Sequence, residues 1–224
     1  MIALIRNRGT STGYILLYSL FAILNSLFCL IFSKPEGFLL LNHFHCQLSD
    51  YFFTIITFLG NGIFILSTII LLLIWKKPGW AFQITVSFIV SGLVVQILKH
   101  LIHSPRPKLF FNDQAIHYIN GVTCTGNTSF PSGHTATIFA LTTLLSFYFP
   151  DKRWGVLFFF IAALTGFSRI YLSDHFPIDV LIGSFVGVFI SVLVYHLIPL
   201  DAFKKNYGNP YSPIILLTCS NCKF

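Results

Sequence analysis

Three short stretches of this 224-residue chain hold residue types suited to gripping and attacking a phosphate group. Lys99 and Arg106 stand seven apart, with Arg106 between Pro105 and Pro107; Ser132, Gly133 and His134 are consecutive; Arg169, His175 and Asp179 follow close together. A phosphomonoester presents three charged oxygens, so Lys99, Arg106 and Arg169 can neutralise both the bound group and the equatorial charge that develops during transfer. Arginine adds a planar bidentate fork that lysine lacks. The Ser132 hydroxyl and the amides of Gly133 and His134 would open a helix, where unpaired N–H groups and the dipole attract an anion. Asp179 lies four residues after His175, the spacing that stacks two side chains on one helical face. Its carboxylate would accept the proton on one imidazole nitrogen and leave the other free to attack phosphorus. His134 would then protonate the leaving alkoxide and later activate water. With three cations supplied by protein, neither a metal nor another cofactor is expected.

These residues need elements that bring them together. Six apolar runs, at about 12–33, 51–74, 80–101, 134–149, 154–172 and 178–198, approach the roughly 20 residues a spanning helix requires. The expected fold is therefore all-α: an integral-membrane bundle of six transmembrane helices forming one domain over residues 1–224. The exit of the third run, the entry of the fourth and the link between the fifth and sixth all fall on one membrane side, so the three stretches can share a pocket. Short cytoplasmic loops retain basic residues. With the N-terminus inside, Arg6, Arg8, Lys76, Lys77, Lys152, Arg153, Lys204, Lys205 and Lys223 are inner, and Lys34, Lys99, Arg106, Lys108 and Arg169 are outer. Three of the outer five are assigned to chemistry, so both termini are expected to be cytoplasmic. The first run follows Arg6 and Arg8 as a signal peptide would, yet its length and lack of a small-residue cleavage pattern make it a retained helix. Residues 103–133, rich in Pro, Gly and Asn, form a loop.

Composition excludes a soluble domain, because 55% of residues are hydrophobic and 9% charged, where a soluble protein carries about a quarter charged. The net charge of +7 is spread in twos and threes between apolar runs, which argues for membrane topology and against nucleic acid. Cys46 and Cys124 are the one cysteine pair expected outside together, and free thiols are favoured over a disulfide there. Cys219 and Cys222 form a CxxC with no second pair to complete a zinc site.

The motifs resemble a known family. Lys99 to Pro107 reads KHLIHSPRP, residues 131–134 read PSGH, and residues 168–179 read SRIYLSDHFPID. This resembles the three-part signature of the type 2 phosphatidic acid phosphatase superfamily, over about residues 80–198. The resemblance implies six helices, metal-independent dephosphorylation and a phosphohistidine intermediate. It makes His175 the nucleophile, His134 the acid and base, and Asp179 the group that orients His175. The 108–130 loop, where substrate choice is expected to reside, lies outside the signature.

Other residues have plainer readings. His100 and His103 flank the first motif but are read as interface residues, and His43, His45 and His117 show no ligand spacing and are read as structural. The run Phe158, Phe159 and Phe160 is read as lipid-facing surface. Gly60 and Gly62 are read as sites of close packing or a mild bend.

The expected activity is hydrolysis of a phosphate or diphosphate on a lipid that stays in the outer leaflet, such as undecaprenyl pyrophosphate, phosphatidylglycerophosphate, phosphatidic acid or the phosphates of lipid A. A lipid phosphotransferase using the same intermediate, and a non-catalytic six-span lipid transporter, are the alternatives. The expected partners are the lipid substrate and the bilayer, with no nucleic acid and no obligatory protein. Short loops and the lack of extra domains suggest a bacterial inner-membrane enzyme with its site facing the periplasm or outside.

Overall fold

The computed structural model describes residues 11–112, 116–123, 127–149 and 151–200, which are helical with no β-strand among them. Arg6, Arg8, Lys204, Lys205, Lys223, Cys124 and the CxxC lie outside the described residues, and with them the state of Cys46 and Cys124 as a pair. The helices are α1 (Thr12–Ile31), α2 (Lys34–Asn42), α3 (Gln47–Thr57), α4 (Gly62–Ile74), α5 (Pro78–Leu101), α6 (Pro107–Phe110), α7 (Gly133–Tyr148), α8 (Lys152–Tyr171) and α9 (Pro177–Leu197). Four of them, α1, α5, α8 and α9, are long and apolar enough to cross a bilayer, and α3 with α4 makes a fifth crossing if that bent pair is counted as one.

The run expected as a single span at 51–74 is broken. A 3-10 turn at Phe58–Gly60 and the extended residue Asn61 separate α3 from α4, and the two halves meet at 57°. Asn61 caps α4 through Oδ1, which accepts from the Ile63 amide at 3.1 Å. Gly60 abuts His134 so closely that a Cβ there would sit 2.9 Å from the His134 Cβ and carbonyl oxygen. The bend is thus sharp, and it presses the helix break onto a residue of the first turn of α7.

Helix α7 forms the centre of the bundle, packed against α5, α8 and α9. Nearly its whole circumference is buried, so it can carry hydroxyls that a lipid-facing helix could not. Thr142 and Thr143 bond the carbonyls of Ile138 and Phe139, and the buried Tyr14 hydroxyl of α1 bonds both threonines at 2.9 and 3.1 Å. Helix α9 meets α7 through Gly183 and Gly187: a Cβ on either would stand 2.5 or 2.3 Å from the carbonyl oxygens of Ser132 and Ala136. Small residues four apart let two backbones touch where no solvent exclusion drives association. The opposite face of α9 shows Phe185, Phe189 and Leu193 outward, as lipid contact requires. Phe159, expected on the lipid face, is instead buried edge-on against Tyr14 and Phe21 of α1, while Phe160 is exposed.

One end of the bundle is closed by the stacked rings of Trp80 and Tyr148, with the Tyr148 hydroxyl donating to Gln83 at 2.6 Å. The other end is crossed by α2, which is too short to span a bilayer. Its start carries Pro35 and a capping box, in which Glu36 accepts from the Ser33 amide at 3.1 Å. Phe38 of α2 is fully buried against Phe111 and Phe176.

Gly187→Val should lower the thermal midpoint in detergent, with a cost of about 1–3 kcal/mol from forced separation of α7 and α9. An unchanged midpoint on a melting curve would show that the close approach is dispensable.

Candidate active site

Every expected site residue lies at the end crossed by α2, at a helix terminus or in a link. Lys99 occupies the last turn of α5 and donates from Nζ to the Thr128 carbonyl at 2.7 Å. The helix does not continue to Arg106, as a shared face would need; it stops at Leu101, and Arg106 caps the short α6. Pro105 removes an amide and biases Ser104 to extended backbone. Ser104 then bridges to Thr128 in parallel, and its carbonyl accepts from the Ser129 amide at 2.8 Å. The two ends of the 103–133 loop are thereby joined, which returns Arg106 to the site.

Ser132 caps α7, its Oγ accepting from the Thr135 hydroxyl at 2.8 Å and leaving its own proton for a further acceptor. The Ser132 amide donates to the Asp179 carbonyl at 3.0 Å, so the first turns of α7 and α9 are tied directly. His134 is half-buried in the first turn of α7 and lines a cavity of about 220 Å³ with Gly60, Gly92 and Gln96. The bond from Lys99 to Thr128, the contact of the adjacent Ser129 with His175 and the bond from the Ser132 amide to Asp179 tie the three stretches together at this end of the bundle.

After α8 the chain turns at Ser173, whose φ of +59° is in the left-handed region that a side chain resists. Asn42 Nδ2 donates to the Ser173 hydroxyl at 3.1 Å, and that hydroxyl donates to the His117 carbonyl at 2.5 Å. The turn lets the amides of both Asp174 and His175 reach the Arg169 carbonyl at 3.0 Å. His175 is therefore in the link and not on α9, which begins at Pro177 because proline needs no amide partner at the first helical position. The expected shared helical face does not form. Asp179, in the first turn of α9, folds back instead: its Oδ2 accepts from the Phe176 amide at 2.9 Å and stands 3.6 Å from His175 Nδ1.

Three residues that sequence reasoning missed complete the arrangement. Buried Ser129 donates from Oγ to Asp179 Oδ2 at 2.5 Å and lies 3.4 Å from His175 Nδ1, bridging a gap too long for a direct bond. Asp174, fully buried, pairs Oδ1 with Arg106 Nη1 at 3.2 Å and Oδ2 with Arg169 Nη2 at 2.6 Å. Thr57, at the break between α3 and α4, accepts from Arg169 Nη1. The only advance signal was scarcity: the chain has seven acidic residues, and Asp174 sits beside His175.

Burial pushes the His175 imidazole down to about 4; the contact with Asp179 raises it and Arg169 lowers it further. The ring is thus neutral near pH 7, with Nδ1 facing Asp179 and Nε2 left for another partner. His100 and His103 are exposed. His117 bonds Asp50 at 2.7 Å and stacks on His45 at 4.1 Å, a structural anchor for the loop. Among the described residues, no group of three or more His, Cys, Asp or Glu side chains is placed to hold a metal ion.

Fold and site define a helical membrane protein with histidines, arginines and two buried aspartates gathered at one end of its bundle. A family model described as the PAP2 superfamily matches residues 80–202, and the chain belongs to that superfamily. It is similar to the undecaprenyl-diphosphatase BcrC of Bacillus subtilis (33% identity over 107 residues, 47% of this chain and 52% of the relative). It is also similar to the lipid A 4'-phosphatase of Bacteroides thetaiotaomicron (30% identity over 169 residues, 70% and 73%). The chain spans about half or less of the length of several curated relatives, 52%, 24% and 42% for BcrC and two lipid A 1-phosphatases. Among solved structures, Aquifex aeolicus LpxE superposes with a TM-score of 0.62 at 29% identity, covering 73% of this chain and 94% of that one. The phosphatidylglycerolphosphate phosphatase of Bacillus subtilis shares the fold, with a TM-score of 0.63 at 23% identity and coverage of 86% and 98%.

Because the unfolded His175 takes up a proton near its ordinary pKa of about 6.5 and the folded one only near 4, stability is present above that range and lost as pH falls through it. The thermal midpoint in detergent should drop on acidification through this window, and less steeply for His175→Asn; parallel curves would exclude the ring as a cause. Ser129→Ala should cost about 1–3 kcal/mol in the same melt, since it deprives the buried Asp179 carboxylate of a donor.

Proposed function

We propose that the protein is a metal-independent phosphatase that hydrolyses the phosphate or diphosphate of a membrane lipid through a phosphohistidine. The observation that carries this reading is that Arg106 and Arg169 pair on Asp174 while His175 faces Asp179, whose carbonyl is tied to the Ser132 amide at the start of the helix that bears His134, all at one end of an apolar bundle. The names of the relatives support the substrate class, which includes undecaprenyl diphosphate and lipid A phosphates.

His175 Nε2 attacks phosphorus while Nδ1 keeps its proton toward Asp179 Oδ2 and Ser129. The ester P–O bond breaks, and His134 gives a proton to the departing alkoxide. Water then attacks phosphorus as His134 takes its proton; the new P–O bond forms, the P–N bond breaks, and its electron pair returns to His175 Nε2 as free phosphate departs. Lys99, Arg106 and Arg169, with the Ser132 hydroxyl and the amides at the start of α7, hold the equatorial oxygens. These cations supply the charge stabilisation that a metal gives elsewhere.

In this reading the bundle crosses the membrane six times: α1, the bent α3 and α4 pair, α5, α7, α8 and α9. The site faces the periplasm or exterior of a bacterial inner membrane, with both termini cytoplasmic.

Phosphate release from a panel of undecaprenyl diphosphate, phosphatidylglycerophosphate, phosphatidic acid and lipid A tests the proposal. Wild-type protein should release phosphate from at least one lipid, and His175→Ala should abolish this. Asp179→Asn should reduce turnover by roughly two orders of magnitude or more with the fold retained. Turnover should survive EDTA, and vanadate should inhibit as a trigonal mimic of the transferring group. Full activity of the His175→Ala protein, or magnesium-restored loss in EDTA, would overturn the assignment.

A further inference from the structure

The pair of ion bridges made by Asp174 carries an inference about how the site lets its product go. This carboxylate is fully buried, precedes the nucleophile directly in sequence, and engages both arginines of the site at 3.2 and 2.6 Å. Arg106 Nη1 also donates to the Asp174 carbonyl at 3.3 Å, so one guanidinium holds both the backbone and the side chain of that residue. Arg169 is itself buried and spends its other terminal nitrogen on Thr57. Two guanidiniums from distant stretches are thus set against each other by one anion.

We propose that Asp174 is a positioning residue that fixes the Arg106 and Arg169 forks and offsets one of their charges, so that inorganic phosphate leaves the site. Asp174 pairs with Arg106 and Arg169 directly and so removes one unit from the charge of the two guanidiniums, while the other buried acid, Asp179, faces His175. Without Asp174, the guanidiniums would keep one more uncompensated charge close to a bound phosphate, where the low dielectric amplifies attraction. Tight binding of a product that shares the charge of the bound substrate slows turnover instead of speeding it. The fork geometry requires the carboxylate as well, because a bidentate arginine contact depends on orientation.

The proposal rests on the hydrolase reading, and two measurements keep them apart. The first is equilibrium binding of inorganic phosphate to the full chain in detergent, followed by calorimetry. Asp174→Asn should tighten the phosphate Kd by about tenfold or more, the effect of one nearby charge. Asp174→Glu, which retains the charge but shifts it, should leave Kd within about twofold of wild type, on the same principle. The second is steady-state turnover on a lipid phosphate: kcat should fall in both variants, with product inhibition by phosphate stronger only in the Asn protein.

An Asn variant that binds phosphate as weakly as wild type, or more weakly, would overturn the proposal. If the Asn protein fails to fold, the Glu variant decides, and a Kd tenfold from wild type in either direction would sink the charge-offset role. Wild-type protein that binds no phosphate would also overturn it. Phosphate binding without any turnover would instead refute the hydrolase reading, while the Kd shift still judges Asp174.

Discussion

Lipid cannot donate or accept a hydrogen bond, and the whole design follows from that. A charged group inside the hydrocarbon must be paired or moved out. Here the ionisable chemistry lies at helix ends, where backbone amides are unspent and links can fold back on themselves. The spans carry mainly apolar contact, glycine approaches and hydroxyls that bond their own helix or its neighbour. Helix α7 holds most of these hydroxyls because it touches protein on nearly every side.

At the site end, one carboxylate oxygen organises the surroundings of His175. Asp179 Oδ2 receives the Phe176 amide and the Ser129 hydroxyl, while the Asp179 carbonyl receives the Ser132 amide. A single residue therefore starts α9, fixes the entry to α7 and faces His175. Asp174 does the corresponding work for the arginines. Two buried acids, five residues apart on one link and the helix that follows it, divide the cluster between a histidine half and an arginine half.

How much of this was legible in the sequence depended on the range of the interaction. The helices of residues 78–197 follow from apolar run length, and their ends from proline and capping residues, so their bounds agree with expectation to within a few residues. The three motifs fixed which side chains would meet, because hairpin counting assigns ends to sides. The reasons for their meeting were not legible. Spacing of four placed His175 and Asp179 on one helix, whereas Pro177 starts that helix two residues after the histidine. Arg106 reaches the site through a bridge between Ser104 and Thr128, which no local pattern encodes. Asp174 was marked only by the scarcity of acids and its place beside His175, and nothing local pointed to Arg106, 68 residues away. Helix α2 is a different case: Ser33, Pro35 and Glu36 form a start signature, but nine residues are too few to register as a span. The break at Asn61 was also marked, by the flanking Gly60 and Gly62, yet its sharpness comes from contact with His134.

The brevity of α7 has a geometric outcome for the substrate. Sixteen residues rise only about 24 Å at 1.5 Å each, against a hydrocarbon slab of about 30 Å. If the Trp80 and Tyr148 end is level with one interface, the first turn of α7 lies several ångströms short of the other. Under the proposed function, a head group would then have to sink below the plane of its neighbours to be cut, and water would reach the phosphorus as a thin column instead of a bulk phase.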